Sequence, residues 1–331
     1  MRTQVGRERT VRDIDGNWDL RDAFTQRTWP GATLDVGELI AELGPSVSVV
    51  IPALDEQDTV AAVVASAVEL RTAGLVDDVV VVDGGSSDAT RDRAADAGAR
   101  VVDQQRTLAA AGPGRGKGDA LWKGVGVTSG ALVVFLDADV VQPSARTIIG
   151  LVSPFVRDPG VQLVKAAYDR AFVDAATAAV AATGGGRVTE LTARPLLAAL
   201  WPELAWLAQP LGGEYAGRRA AFEAVPFVQG YGVEFGLLVD IAGRYGAQAI
   251  AQVDLGVRVH RHQPLAALGR MAAEILHVAL SRGAPGLDPA TVLPQPTRDE
   301  AGALDLGLHD IAVEERPPLA QWRAEADATH V

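Results

Sequence analysis

The sequence predicts an α/β fold with a largely parallel sheet and helices on both of its faces, and three observations carry this. From Ser46 onward, short runs rich in β-branched residues alternate with stretches of helical length. The runs "SVSVVIP" (46–52), "DDVVVVD" (77–83), "RVV" (100–102) and "ALVVFL" (131–136) are apolar almost throughout, as strands covered on both faces are. Their C-terminal ends carry acids and glycines, in "IPALDE" (51–56), "VDGGSSD" (82–88) and "LDADV" (136–140), and ligands bind at such ends in open parallel sheets.

The elements follow in order. Residues 1–45 are mixed in charge and weakly periodic, and read as an N-terminal arm. After the first strand, 59–70 has the pattern of an amphipathic helix with Asp58 as its N-cap. A Gly-rich turn leads into a short helix over 87–99, and a Gly-rich loop over 103–118 precedes a helix at 119–128. Strand–helix alternation of this kind implies right-handed crossovers. Beyond 143 the pattern loosens: a helix to about 156, a strand "VQLVKAAY" (161–168), helices near 190–208 and 232–245, a strand "AIAQVDL" (249–255) and a helix over 265–282. Prolines at 285, 289, 294, 296, 317 and 318 predict an irregular tail over 283–331.

Composition narrows the function. The chain has 331 residues, 48% of them hydrophobic, enough for a substantial core. Its net charge is 30 − 42 = −12, which argues against general binding to nucleic acid or an anionic membrane. There is no cysteine, so disulfides, thiolate catalysis and Cys-ligated zinc are excluded. The N-terminus lacks the apolar segment of a secretory signal, and no uncharged run is long enough to span a bilayer. A soluble cytoplasmic protein is expected.

Five stretches can carry chemistry. Asp137 and Asp139 follow a buried strand with Ala138 between them. Side chains alternate along an extended segment, so both carboxylates face one side and suit a hard divalent cation; a solvated strand-end turn is the plainer alternative. In "GPGRGKGDALW" (112–122), Arg115 and Lys117 stand among four glycines before a helix, an arrangement for an anion or simply a flexible basic loop. In "ATGGGRVTELTARPLL" (182–197), three glycines precede Arg187, and Thr189 can cap the following helix; this is either a second oxyanion site or a linker. In "DLGVRVHRH" (254–262), Arg258, His260 and His262 share one side of a strand, and a histidine beside two carboxylates can bind Mg2+ or Mn2+. The same histidines can bind zinc or serve packing. Glu234, in "GYGVEFG" (230–236), opens an apolar helix as a ligand or as a first-turn acid facing the helix dipole.

Taken together, "VVIPALDE", "VVDGGSSDAT", "GKGDALW", "VVFLDAD", "GGGRVTELTARPLLAAL", "QPLGGEY", "GYGVEFGLL" and "QVDLGVRVHRHQPL" resemble the glucosyl-3-phosphoglycerate synthases of actinobacteria, over about 46–282. The resemblance implies a GT-A glycosyltransferase fold, in which 46–142 binds the nucleotide-sugar and 143–282 forms the acceptor-binding and catalytic portion. It implies retaining transfer of glucose from UDP-glucose to the 2-hydroxyl of 3-phosphoglycerate, with Mg2+ or Mn2+, in a homodimer. On the same ground Pro52, Ala53, Leu54 and Glu56 line the nucleotide pocket and Lys117 meets the nucleotide phosphates. Asp137, with Ala138, lies near the ribose, while Asp139 and His260 hold the metal. Glu234 holds the sugar hydroxyls, Arg258 faces the diphosphate, and Gly186, Arg187, Val188 and Thr189 hold the acceptor. Gly84 stands where the family has a serine beside the nucleobase, Ala138 where it often has serine, and His262 where its acceptor pocket has asparagine. The family also contains mannosyl-3-phosphoglycerate synthases, so GDP-mannose is the alternative donor. Inverting polyprenyl-phosphate transferases, sugar nucleotidyltransferases and a catalytically silent sugar-nucleotide sensor are the other readings.

Overall fold

The computed structural model describes residues 19–43, 46–173, 180–181, 186–259, 265–298, 304–311 and 313–329. In chain order the elements are α1 (Leu20–Arg27), β1 (Thr28–Pro30), α2 (Val36–Leu43), β2 (Val47–Ala53), α3 (Val60–Thr72), β3 (Asp78–Asp83), α4 (Thr90–Asp96), β4 (Arg100–Asp103), α5 (Gly116–Val127), β5 (Leu132–Phe135) and α6 (Ala145–Arg157). They continue as β6 (Leu163–Val173), β7 (Val180–Ala181), α7 (Arg194–Leu200), β8 (Tyr215–Arg218), α8 (Arg219–Glu223), β9 (Phe227–Val228), α9 (Val233–Tyr245), β10 (Ile250–Val259), α10 (Leu265–Gly283), β11 (Val292–Arg298), β12 (Leu304–Asp310), β13 (Glu315–Arg316) and α11 (Leu319–Thr329).

One nine-stranded sheet runs β1-β10-β6-β8-β5-β2-β3-β4, with β7 paired to β6. Only β8 and β7 run against their neighbours in it. The chain goes from β2 outward to β3 and β4, then returns to place β5 on the other side of β2. The C-terminal ends of β2 and β5 therefore flank a topological switch point, the usual crevice for a ligand in an open α/β sheet. Side chains alternate between two buried layers. Val47, Val49 and Ile51 of β2 join one core with α2, α3 and α6, while Val50 joins the other with α5, α9 and α10. Burial on both faces is why these strands read as unbroken apolar runs.

Several local expectations are corrected. The arm over 1–45 is not featureless: β1 adds parallel to β10, with Thr28–Pro30 opposite Gln252–Asp254, and Arg27 bonds Asp158 and the Ile250 carbonyl. A three-residue edge strand is too short to show a period. Asp58 does not cap α3; Thr59 holds the N-cap position, and its hydroxyl turns back to Glu56. α5 starts at Gly116 rather than 119, because its glycines, each costing about 1 kcal/mol in a helix, are used for close packing. Gly118 donates its N–H to the Gln229 carbonyl at 2.8 Å, and a Cβ there would overlap the Val228 carbonyl.

The tail is likewise ordered where 283–331 was expected to be irregular. β11 and β12 form an antiparallel pair, β13 pairs with β9, and α11 lays Trp322 edge-on against Trp122, with ring centroids 5.4 Å apart. The prolines of β11 are tolerated because a two-stranded ribbon has only edge strands. Among the described residues no helix is long and apolar enough to cross a membrane.

The contact of α5 with the sheet yields a stability prediction. A Cβ at Gly124 would overlap Val50 of β2, a stiff β-branched side chain. Alanine gains about 1 kcal/mol of helix propensity but overpacks a close contact at about 1–3 kcal/mol. Gly124→Ala is therefore expected to lower the thermal midpoint; a raised midpoint would show that the helix does not need this close approach.

Candidate active site

The site forms where strand ends converge. Ala53 and Asp83 are register partners at the ends of β2 and β3. Asp55 takes a left-handed backbone, φ 55°, and accepts hydrogen bonds from the Ser87 N–H and hydroxyl. The Glu56 N–H donates to Thr90, the Gln57 N–H to Asp88, and the Ala89 N–H to Gln57. These cross-links lock the loop after β2 to the loop after β3. They hold the segment Pro52, Ala53, Leu54 and Glu56 against the loop after β3, where the Gly84 N–H donates to the Ala53 carbonyl at 2.8 Å. Leu54 is an exposed apolar side chain on this rim. A side chain at Gly84 would meet Leu54 and the Gln104 carboxamide within 4 Å, so glycine widens this corner.

At the centre is an ion triad. Lys117, in the first turn of α5, places its Nζ 2.5 Å from Asp137 Oδ1 and 2.7 Å from Glu234 Oε1. Asp137 follows β5 and Glu234 opens α9, so three separate elements meet at one ammonium. Glu234 is 6% exposed, and its charge needs a partner at that depth. Burial pushes the Lys117 ammonium down, but the charges of Asp137 and Glu234 overcome this and hold it well above the ordinary lysine range. Burial first, and the neighbouring Glu234 charge second, also push the Tyr215 phenol well up. Its hydroxyl is buried with no hydrogen-bond partner among the described residues. Two glycines make room for the triad. A Cβ at Gly213 would overlap the Asp137 carboxylate, and one at Gly116, where φ is +72°, would sit 2.8 Å from the Gln229 carbonyl.

The other expected residues are distributed around this centre. β5 ends at Phe135, and Ala138–Asp139 form a turn, so strand alternation does not put the two aspartates on one side as expected. Ala138 is buried and Asp139 exposed. An exposed carboxylate next to a cluster of two carboxylates and one ammonium fits a hard cation that takes one or two protein carboxylates and completes its shell with phosphate oxygens and water. Among the described residues no three His, Asp or Glu side chains group as a metal site. His260 and His262 lie outside the described residues; Arg258 pairs through its backbone with Arg170 of β6, and its side chain is not described.

Gly186 takes φ +81° and opens a tight helical turn, its carbonyl accepting the Glu190 N–H at 2.9 Å. Arg187 is exposed there, while Val188 and Thr189 are buried. Thr189 is not the expected cap: it lies inside a wide π-turn, Thr189–Ala193, that leads into α7.

Sequence reasoning did not single out Tyr215, Gly213, Gln229, Asp119 or Arg316. "QPLGGEY" and "GKGDALW" contained Gly213, Tyr215 and Asp119 as part of the family resemblance, whereas Gln229 and Arg316 act through contacts far apart in the chain and leave no local pattern.

The fold and this charged site at a switch point define a glycosyltransferase. The family described as "Glycosyl transferase family 2" matches residues 48–180. A glucosyl-3-phosphoglycerate synthase of Mycolicibacterium paratuberculosis is 46% identical over 317 residues, 93% of this chain and 95% of that protein. The Mycobacterium tuberculosis glucosyl-3-phosphoglycerate synthase, solved in complex with Mn2+, UDP-glucose and phosphoglyceric acid, superimposes with a TM-score of 0.78. It is 43% identical, over 89% of this chain and 98% of that one. A mannosyl-3-phosphoglycerate synthase of Rubrobacter xylanophilus superimposes with a TM-score of 0.81 at 34% identity, over 91% and 99% of the two chains. The chain belongs to the glucosyl-3-phosphoglycerate synthase family.

The triad predicts an energetic coupling. Lys117→Met leaves Glu234 buried without its cation, whereas Lys117→Met with Glu234→Gln removes both charges. Urea unfolding of the two single variants and the double variant should give a coupling of about 1–3 kcal/mol; additive effects would show that the contact is not energetic. Because the folded-state pKa of Lys117 is raised, its contribution is fully present below the ordinary lysine range. It is lost only as pH rises through the higher folded value, so the coupling should hold steady from about pH 6 to about pH 9.

Proposed function

We propose that the protein is a glucosyl-3-phosphoglycerate synthase, transferring glucose from UDP-glucose to the 2-hydroxyl of 3-phosphoglycerate with retention of configuration and with Mg2+ or Mn2+. What carries the reading is the Lys117–Asp137–Glu234 triad at the switch point of a chain that aligns with 95% of a synthase of that name. The mannosyl relative, at 34% identity, stands further from this chain than the glucosyl relatives. GDP-mannose is the second donor to test.

In this reading the region 46–142 takes the nucleotide. Pro52, Ala53, Leu54 and Glu56 face the nucleoside, and Gly84 leaves the base pocket wider than a serine would. Asp137 and Ala138 lie along the ribose. Lys117 and Arg258 meet the diphosphate, where negative charge develops as the glycosidic bond breaks. Glu234 accepts hydrogen bonds from the sugar hydroxyls. Asp139 and His260 would hold the divalent ion, which when bound supplies further stabilisation of the departing diphosphate. Within 143–282, Gly186, Arg187, Val188, Thr189 and His262 hold 3-phosphoglycerate, with Arg187 matched to its anionic groups.

Asp137 and Glu234 share one ammonium, and each carboxylate engaged in that ion pair is a poor nucleophile. This supports a route in which the acceptor approaches the face that the diphosphate leaves and gives its proton to a leaving phosphate oxygen. We further propose that the protein is cytoplasmic and that it forms a homodimer, the latter on the basis of Leu304, Leu306 and Leu308. They are exposed at alternate positions on one face of β12, the pattern of a surface that a second copy would cover.

The test is release of nucleoside diphosphate from UDP-glucose, GDP-glucose or GDP-mannose, with and without 3-phosphoglycerate. Acceptor-dependent release from UDP-glucose is expected, and release from no donor would overturn the reading. Asp139→Ala should lose metal-dependent turnover by about 10²-fold or more with its circular dichroism unchanged. Arg187→Ala should raise the acceptor KM about tenfold or more while moving the donor KM little; an unchanged acceptor KM would remove Arg187 from the acceptor site. In sedimentation velocity the wild type should run as a dimer and Leu306→Glu as a monomer; a monomeric wild type refutes the dimer.

A further inference from the structure

Lys117 and Glu234 stand on different helices, and their contact depends on how α5 sits against α9. The link between these helices passes through β9. The Gln229 carbonyl, just after β9, accepts the Gly118 N–H, and its side-chain Oε1 accepts the Arg115 N–H at 3.0 Å. Four residues further on, the same chain starts α9. β9 is itself held by the C-terminal segment: β13 pairs with it, Glu315 opposite Val228 and Arg316 opposite Phe227, and the Gln229 N–H donates to the Glu314 carbonyl at 2.9 Å.

The two residues of β13 bind in opposite directions. Arg316 donates from Nε to Asp119 Oδ1 on α5 at 2.6 Å, from Nη2 to the Gly112 carbonyl at 3.0 Å and from Nη1 to the Ala111 carbonyl, with its guanidinium 5.6 Å from the centroid of the Trp122 ring. It thus grips both the Gly-rich loop and the helix that this loop enters. Glu315 Oε1 takes Arg282 Nη2 of α10 at 2.8 Å, and Arg282 forks onto Asp240 of α9 at 2.7 and 2.8 Å. Asp119 is fully buried and also holds Lys123 at 3.1 Å and the Gln104 amide at 2.7 Å. Desolvation offsets much of the attraction in a buried ion pair, so such a pair serves geometry better than raw stability.

We infer that Glu315 and Arg316 are positioning residues for transfer, setting the Lys117–Glu234 contact by tying α5 on one side and α9 with α10 on the other. This rests on the reading of the triad as the donor site. Arg316→Lys keeps a cation for Asp119 but cannot also reach the two loop carbonyls, so the fold is expected to survive. Its kcat/KM for the donor should fall about tenfold, with the acceptor KM within about twofold of the wild type. Its crystal structure should show Lys117 and Glu234 further apart than the 2.7 Å seen here.

Glu315→Gln should move the same quantities in the same direction, and carries the test if Arg316→Lys does not fold. Arg323→Ala breaks a tail contact at the other end of α5, to Glu223 and the Gly126 carbonyl. It should lower the melting temperature and leave both KM values alone. Variants at 315 and 316 that keep the 2.7 Å contact, or that lower donor and acceptor terms equally, overturn the inference. A wild type without turnover refutes the functional reading instead, and the crystal structure still decides this one.

Discussion

One ammonium held between two carboxylates is the constraint on which the rest of the structure depends. Lys117, Asp137 and Glu234 come from a helix start, a strand end and a second helix start, and none is near another in sequence. Each carboxylate is tolerable in its place because the lysine is there, and the lysine stays charged despite burial because the carboxylates are there. Glycines bring the backbones close enough: Gly213 lies beneath Asp137, and Gly116 and Gly118 lie against the segment that precedes Glu234. A site this dependent on mutual distance needs a scaffold that fixes three elements at once. The switch-point sheet supplies one side of it, and the C-terminal segment supplies the other.

Much of the fold was legible because its signals are local. The central strands are apolar runs of the right length, and the turns between them are marked by Gly, Ser and Asp. Lys117, Asp137, Asp139 and Glu234 were legible as candidates for the same reason, since charges at strand ends and helix starts are visible in one dimension. What joins them was not. Nothing local links Lys117 to Glu234, and the alternation argument for Asp137 and Asp139 stopped at the turn over Ala138–Asp139.

The misplaced features share a cause. The prolines of the tail read as an irregular segment, yet Pro294 and Pro296 sit in a two-stranded ribbon that asks little of their missing N–H groups. Gly116 and Gly118 read as loop, yet they are the price of the close approach of α5 to β9 and the residue after it. Thr189 had the spelling of a cap and is instead buried within a π-turn. Arg316 was not singled out in the sequence, and only tertiary structure reveals Asp119 as its partner, 197 residues away. In each case a long-range contact overrides the local preference.

The central claim is that the triad is the donor site and not simply a buried structural ion pair. Titrating UDP, in the presence of Mg2+, into the wild type and into a folded Lys117→Met variant by calorimetry tests it most directly. Binding to the wild type should be saturable, with affinity weakened by about tenfold or more in the variant. Equal affinities in the two proteins would contradict it.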